Sequence, residues 1–157
     1  MEVFRISKSK YIDDLMGTGA RLHGGRWNRI GVPVLYTSTM LPLALLELIV
    51  NFTGKNAFKL NYCYLKMEVP DKLIVDISQE IDVEGDRNDY PKLNKIAEGH
   101  FFEGNVLAIK VPSFVLPQEH NLIINPMHQN FGKVQILMKD EIRLDQRLKT
   151  KQQPKTT

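Results

Sequence analysis

The chain has 157 residues, 43% of them hydrophobic, which is the size of one ordinary domain with a single apolar core and room for a cleft beside it. Its 21 basic and 18 acidic residues leave a net charge of only +3, too mild to argue for a nucleic-acid partner. A single cysteine, Cys63, excludes an internal disulfide and a thiolate-rich metal site, and the opening residues carry no secretory apolar run. The longest apolar stretch, Leu41 to Val50, is interrupted by Pro42 and Glu47 and falls short of the roughly 20 residues a bilayer requires. A soluble cytoplasmic protein without membrane contact is expected.

In chain order, Val3 to Ile6 reads as a short strand, and Tyr11 to Leu15 as a helical turn or loop ahead of Gly17 and Gly19. His23 to Gly31 contains three glycines among bulky polar side chains, a loop pattern. Val32 to Thr37 reads as a strand with Pro33 near its start, and Ser38 or Thr39 is placed to cap a helix from Leu41 to about Asn51, closed by Gly54. From Asn61 to Val69 the residues alternate, with Cys63, Leu65, Met67 and Val69 on one face and Tyr62, Tyr64, Lys66 and Glu68 on the other, which predicts a half-buried strand. Leu73 to Ile77 is a further short extended piece, and Asp82 to Asp89 has no period and reads as a surface loop. Pro91 to Glu98 has helical spacing with Gly99 as its stop. Val106 to Val111, Leu122 to Ile124 and Val134 to Met138 add strands, and strands outnumber helices. The expected organisation is one domain over residues 1–148 and a flexible polar tail over 149–157.

Glu47 is the most informative residue, because every neighbour from Leu43 to Val50 is apolar. A carboxylate there is partly desolvated, and leaving it unpaired costs several kcal/mol, so it needs a partner or a purpose. A structural ion pair with Arg26, or one wet side of the helix, would also satisfy it. Arg26 lies in the flexible Gly24-Gly25 loop beside Trp27 and Asn28, where a guanidinium fork can grip phosphate or carboxylate. The same glycines would equally make a plain tight turn. Tyr36 offers a flat ring for stacking on a heterocycle, or is an ordinary core aromatic. Ser113 follows a strand without a Gly-x-Ser-x-Gly elbow, so it suits hydrogen bonding better than nucleophilic attack. The four histidines, His23, His100, His120 and His128, show no ligand spacing, and no metal is expected.

Five blocks in order, Gly24-Gly25-Arg26-Trp27-Asn28, Gly31 to Ser38, Leu43 to Glu47, Val111-Pro112-Ser113 and Asn121 to His128, resemble the RES domain family over nearly the whole chain. The residues matching the family's arginine, glutamate and serine are Arg26, Glu47 and Ser113, with Tyr36 matching a tyrosine of its site. Gly99-His100-Phe101-Phe102 stands where many relatives carry a tryptophan-containing stretch. The resemblance implies an α+β fold related to mono-ADP-ribosyltransferases, a mixed and strongly bent sheet with short helices and a cleft for NAD⁺. It also implies a toxin that degrades NAD⁺ or ADP-ribosylates a protein target, silenced by an Xre-type helix-turn-helix antitoxin.

On that basis Glu47 stabilises positive charge developing on the ribose, Arg26 grips the diphosphate or orients Glu47, Tyr36 stacks on the nicotinamide and Ser113 hydrogen-bonds the dinucleotide. Arg5 and Asn28 are secondary contacts. NAD⁺ is then a substrate and no true cofactor is expected. Whether water or a protein accepts the ADP-ribose, and whether the chain forms a homo-oligomer, stays open. The competing reading is an RNA-binding or RNA-cleaving toxin using Arg21, Arg26, Arg29 and Trp27, but the basic residues are scattered, so no direct nucleic-acid contact is expected. A third reading is an antitoxin-binding module that keeps the cleft without turnover.

Overall fold

In the computed structural model, which describes residues 1–53 and 56–149, seven strands and three α-helices follow one another along the chain. They are β1 (Glu2–Lys8), α1 (Thr18–His23), β2 (Leu35–Ser38), α2 (Leu41–Val50), β3 (Tyr62–Glu68), β4 (Ile74–Asp76), α3 (Tyr90–Glu98), β5 (Ala108–Pro112), β6 (His120–Ile124) and β7 (Gln135–Ile142). Gly54, expected to close the second helix, and the tail from residue 150 lie outside the described residues.

The strands form one sheet in the order β4-β5-β6-β2-β1-β3-β7. Only β4 and β5 are parallel, which makes the sheet mixed, and the chain between them carries α3 as the crossover such a pair requires. β3 pairs along its whole length with β1 and also with β7, where a bulge falls between Lys66 and Met67. Its alternation is as expected: Cys63, Leu65, Met67 and Val69 are buried. Tyr62 is buried as well, its hydroxyl donating to the Ala57 carbonyl at 2.9 Å.

β5 and β6 read as continuous apolar runs because they are buried on both faces. Ala108, Leu122 and Ile124 pack with Val3, Leu35, Leu65 and Met67, whereas Ile109, Val111 and Ile123 pack with Trp27, Leu93, Ala97 and Phe114. This is the α+β class expected, with a mixed sheet and short helices.

Several expected boundaries move. The second strand begins at Leu35, not Val32, because Pro33 has no N–H to give a ladder and the Val32 carbonyl is taken by the Asn28 side chain at 2.9 Å. Neither Ser38 nor Thr39 caps α2. Met40 occupies the cap position without a side-chain bond, while Thr39 Oγ1 donates to the His120 carbonyl and Ser38 Oγ to Asn121. Gly99 does not stop α3: it is right-handed helical, at φ −57°, and the chain continues as a π-helical turn over Gly99–Glu103. The last strand runs on to Ile142. Thr18–His23 forms a helix where only glycines and a loop were legible, anchored by Asp14, which accepts from the Thr18 backbone N–H at 3.0 Å and from its hydroxyl at 3.1 Å.

Candidate active site

α2 lies against β1 and β2, burying Leu43 and Ala44 and turning Glu47, half-buried, toward the rim where β5 ends and β6 begins. Two donors reach the same carboxylate oxygen there. Ser113 Oγ donates to Glu47 Oε1 at 2.8 Å, and Asn121 Nδ2 donates to it at 2.6 Å. Ser113 is fully buried, and its hydroxyl oxygen also accepts from the Val115 and Leu116 N–H groups at 3.1 and 3.0 Å, so its one proton is committed to the glutamate. Among the described residues no donor lies on Oε2.

The ion pair with Arg26 that would have made Glu47 structural does not form. Arg26 belongs to a loop tied down at several points. Gly24 adopts φ +68°, and a Cβ on Gly25 would stand 2.5 Å from the Tyr36 hydroxyl, so only glycine permits this approach. That hydroxyl donates to Asn28 Oδ1 at 2.7 Å and accepts from the Trp27 N–H at 3.0 Å. Burial pushes the Tyr36 phenol up to about 12, which keeps it protonated as a donor. Asn28 is fully buried, its Nδ2 donating to the Ala20 and Val32 carbonyls at 2.7 and 2.9 Å, so its amide organises the loop from within. From α3, Asn94 Nδ2 donates to the carbonyls of Gly25 and Arg26 at 2.9 and 2.7 Å. Trp27 is buried edge-on against Phe114, with ring centroids 6.2 Å apart.

With its neighbours anchored, Arg26 projects from the loop. Its guanidinium lies 3.9 Å from the Phe114 ring centroid and 4.7 Å from that of Tyr90, and Nη1 donates to the Arg87 carbonyl at 2.5 Å. Among the described residues no carboxylate pairs with it. A cation stacked on aromatic rings and short of an anion is a ready partner for phosphate or carboxylate.

Arg26, Trp27, Tyr36, Glu47, Arg87 and Asn121 line one cleft of about 760 Å³. A second lobe of about 240 Å³ continues past Glu47 and is bounded by Arg5, Thr37, Ser38 and Asn51. Tyr36, Glu47, Asn51 and Asn121 border both lobes. Burial lowers the Arg5 pKa, partly offset by Asp14 and Asp13, and its Nη1 donates to the Ile12 carbonyl at 2.9 Å. The cleft therefore carries three guanidinium groups and one carboxylate, in a volume ordinary for a drug-sized to cofactor-sized ligand. It suits an anionic ligand with one centre of positive charge held beside Glu47.

Five of the residues singled out from sequence, Arg5, Arg26, Tyr36, Glu47 and Ser113, thus gather at this cleft, four in its walls and Ser113 directly behind Glu47. Asn121, Arg87, Tyr90 and Asn94 were missed. Asn121 sits in an apolar strand, and only the pairing of β6 with β2 brings it beside Ser38 and Glu47. Asn94 and Tyr90 act across the fold on a loop more than sixty residues earlier, which no local pattern records.

Fold and site together are those of a mixed-sheet α+β domain with an acid held by a serine and an asparagine in an arginine-lined cleft. The chain belongs to the RES domain family, whose model matches residues 2–146. It is 35% identical over 137 residues to "Toxin Res" of Photorhabdus laumondii, covering 85% of this chain and 86% of that one. To "Prs ADP-ribosylating toxin" of Sphingobium sp. it is 33% identical over 123 residues, 74% of each chain. Among solved structures, the M. tuberculosis MbcT-MbcA toxin–antitoxin complex contains a chain of the same fold, with a TM-score of 0.74 at 18% identity over 90% of this chain and 84% of that one. Among the described residues no helix is long and apolar enough to cross a membrane.

Proposed function

We propose that this chain is a toxin that cleaves the nicotinamide–ribose bond of NAD⁺. The observation that carries the reading is Glu47, fixed through one oxygen by Ser113 and Asn121 and lining both lobes of a cleft rich in guanidinium groups. NAD⁺ matches that distribution: a diphosphate with two negative charges for the Arg26 and Arg87 side, and a pyridinium ring for the small lobe beside Tyr36 and Arg5.

When the C–N glycosidic bond breaks, its electron pair goes to the pyridinium nitrogen and releases neutral nicotinamide. The ribose carbon is left with oxocarbenium character, as in glycoside hydrolysis. The open oxygen of Glu47 stabilises that charge and holds the ribose hydroxyls, an electrostatic role strengthened where water is excluded. A water oxygen, or a nucleophilic side chain of a target protein, then bonds to the carbon and gives up a proton. Arg26 grips the diphosphate, Tyr36 presents its ring to the nicotinamide, and Asn28 contributes by fixing the loop. In this reading Ser113 acts through Glu47, and NAD⁺ is consumed as substrate.

A chain that destroys NAD⁺ in its own cell needs a silencing partner, and the reading implies a helix-turn-helix antitoxin of the Xre type covering the cleft. Nicotinamide release from NAD⁺ by the purified protein tests the reaction, with Glu47→Gln expected to lower kcat about 10²–10³-fold at unchanged fold. Equal rates would remove Glu47 from the mechanism, and RNA cleavage without nicotinamide release would replace it.

A further inference from the structure

We infer that Asn121 is a positioning residue for Glu47, locked in orientation by Ser38, so that the relay Ser38–Asn121–Glu47 aims the carboxylate into the cleft. The inference rests on the reading of Glu47 given above and adds to it a pair of residues on the strands behind the acid.

The geometry runs in one direction. Ser38 is buried at the end of β2, directly opposite Asn121 in the antiparallel pairing of β2 with β6. Its hydroxyl donates to Asn121 Oδ1 at 2.7 Å, which occupies the amide oxygen and leaves Nδ2 to donate to Glu47 Oε1 at 2.6 Å. The reversed amide would set its oxygen against the carboxylate oxygen, a repulsive contact, so the order of donors is fixed by charge. Ser113 reaches the same Oε1 from the end of β5. In the β5–β6 pairing Val111 faces Asn121, so both donors stand on one rim of one hairpin. Two donors on one oxygen determine the plane of the carboxylate and leave Oε2 for the ligand.

The distinguishing variant is Asn121→Asp, which keeps the shape and exchanges a donor for an acid. Two carboxyl groups at about hydrogen-bond distance resist ionising together, so the pair holds one shared proton to a higher pH than a lone carboxyl would. While that proton is held, the pair mimics the amide; once it is lost, repulsion turns Glu47 out of place. The other charged or titratable side chains of the two lobes are Arg5, Arg26, Arg87, Tyr36 and Tyr90, with no further carboxylate or histidine among them. Activity of Asn121→Asp relative to wild type should therefore fall as pH rises through the weakly acidic range, whereas a packing role would give a flat ratio.

The experiment measures nicotinamide release by wild type, Asn121→Ala, Asn121→Asp and Ser38→Ala, together with the side-chain amide resonances of ¹⁵N-labelled free protein. Asn121→Ala should lower kcat about 10- to 100-fold, the range for losing an orienting partner, with KM for NAD⁺ within a few-fold. Ser38→Ala should lower it less, by several-fold. In wild type one Asn121 amide proton should resonate downfield, and Glu47→Ala should abolish that displacement. Wild-type kcat in Asn121→Ala, a flat pH ratio for Asn121→Asp, or an Asn121 amide indifferent to Glu47→Ala would overturn the relay. A wild type that releases no nicotinamide would overturn the function instead, and the amide signal, read in the free protein, would still decide the relay.

Discussion

An interior strand of the sheet and an edge strand are built differently. β6 lies in the interior of the strand order, with Leu122, Ile123 and Ile124 fully buried between two apolar clusters. β7 closes the edge, pairs among the described residues with β3 alone, and leaves Ile136, Leu137 and Met138 about half exposed. Each strand carries a run of three apolar residues, yet only the first is held on both faces, and that strand carries the side chain that meets Glu47. Close packing on two faces leaves little freedom for the backbone at the rim, so a donor mounted there keeps its aim.

Substitutions should expose the contrast. The largest effect is expected in the interior: Ile123→Ala should cost about 2–5 kcal/mol in chemical denaturation, because it opens a cavity in a fully buried site. Next comes the loop that carries Arg26. Asn94→Ala removes both donors on the Gly25 and Arg26 carbonyls and should cost about 1–3 kcal/mol, and in steady-state kinetics it should raise KM for NAD⁺ more than it lowers kcat.

Smaller and confined to alkaline solution is the effect of Tyr36→Phe on pH dependence. The folded-state phenol is raised by burial to about 12 from an ordinary 10.0, so the folded protein holds a proton that the unfolded chain gives up between those values. Its contribution is complete below pH ~10 and declines as pH rises toward ~12. Thermal denaturation should show wild type losing more stability than Tyr36→Phe across that window. The smallest effect belongs to the edge, where Leu137→Ala should change the denaturation free energy by no more than about 0.5 kcal/mol. A cost there as large as that of Ile123→Ala would erase the distinction between the interior strand and the edge.

What the sequence made legible follows the reach of each signal. The alternation of Cys63, Leu65, Met67 and Val69 survives because a strand with one buried face writes its pattern locally. Glu47 stood out because a carboxylate amid apolar neighbours needs a reason, and Arg26, Tyr36 and Ser113 through family likeness. The partners of these groups were hidden. Asn121 is an ordinary polar residue until the β2–β6 register sets it against Ser38, and Asn94 gains meaning only when α3 closes over the glycine loop. Helix ends failed for a related reason: Ser38 and Thr39 looked like caps, but their hydroxyls bond side chains and carbonyls about eighty residues away.

The two donors on Glu47 stand on and at the end of adjacent strands of the sheet itself, and they reach the acid directly. If the proposed function holds, a weapon assembled this way is armed as soon as the chain has folded. If it consumes NAD⁺ as proposed, restraint has to come from a second molecule made in step with it, and any shortfall in that guardian leaves a live poison inside its own host.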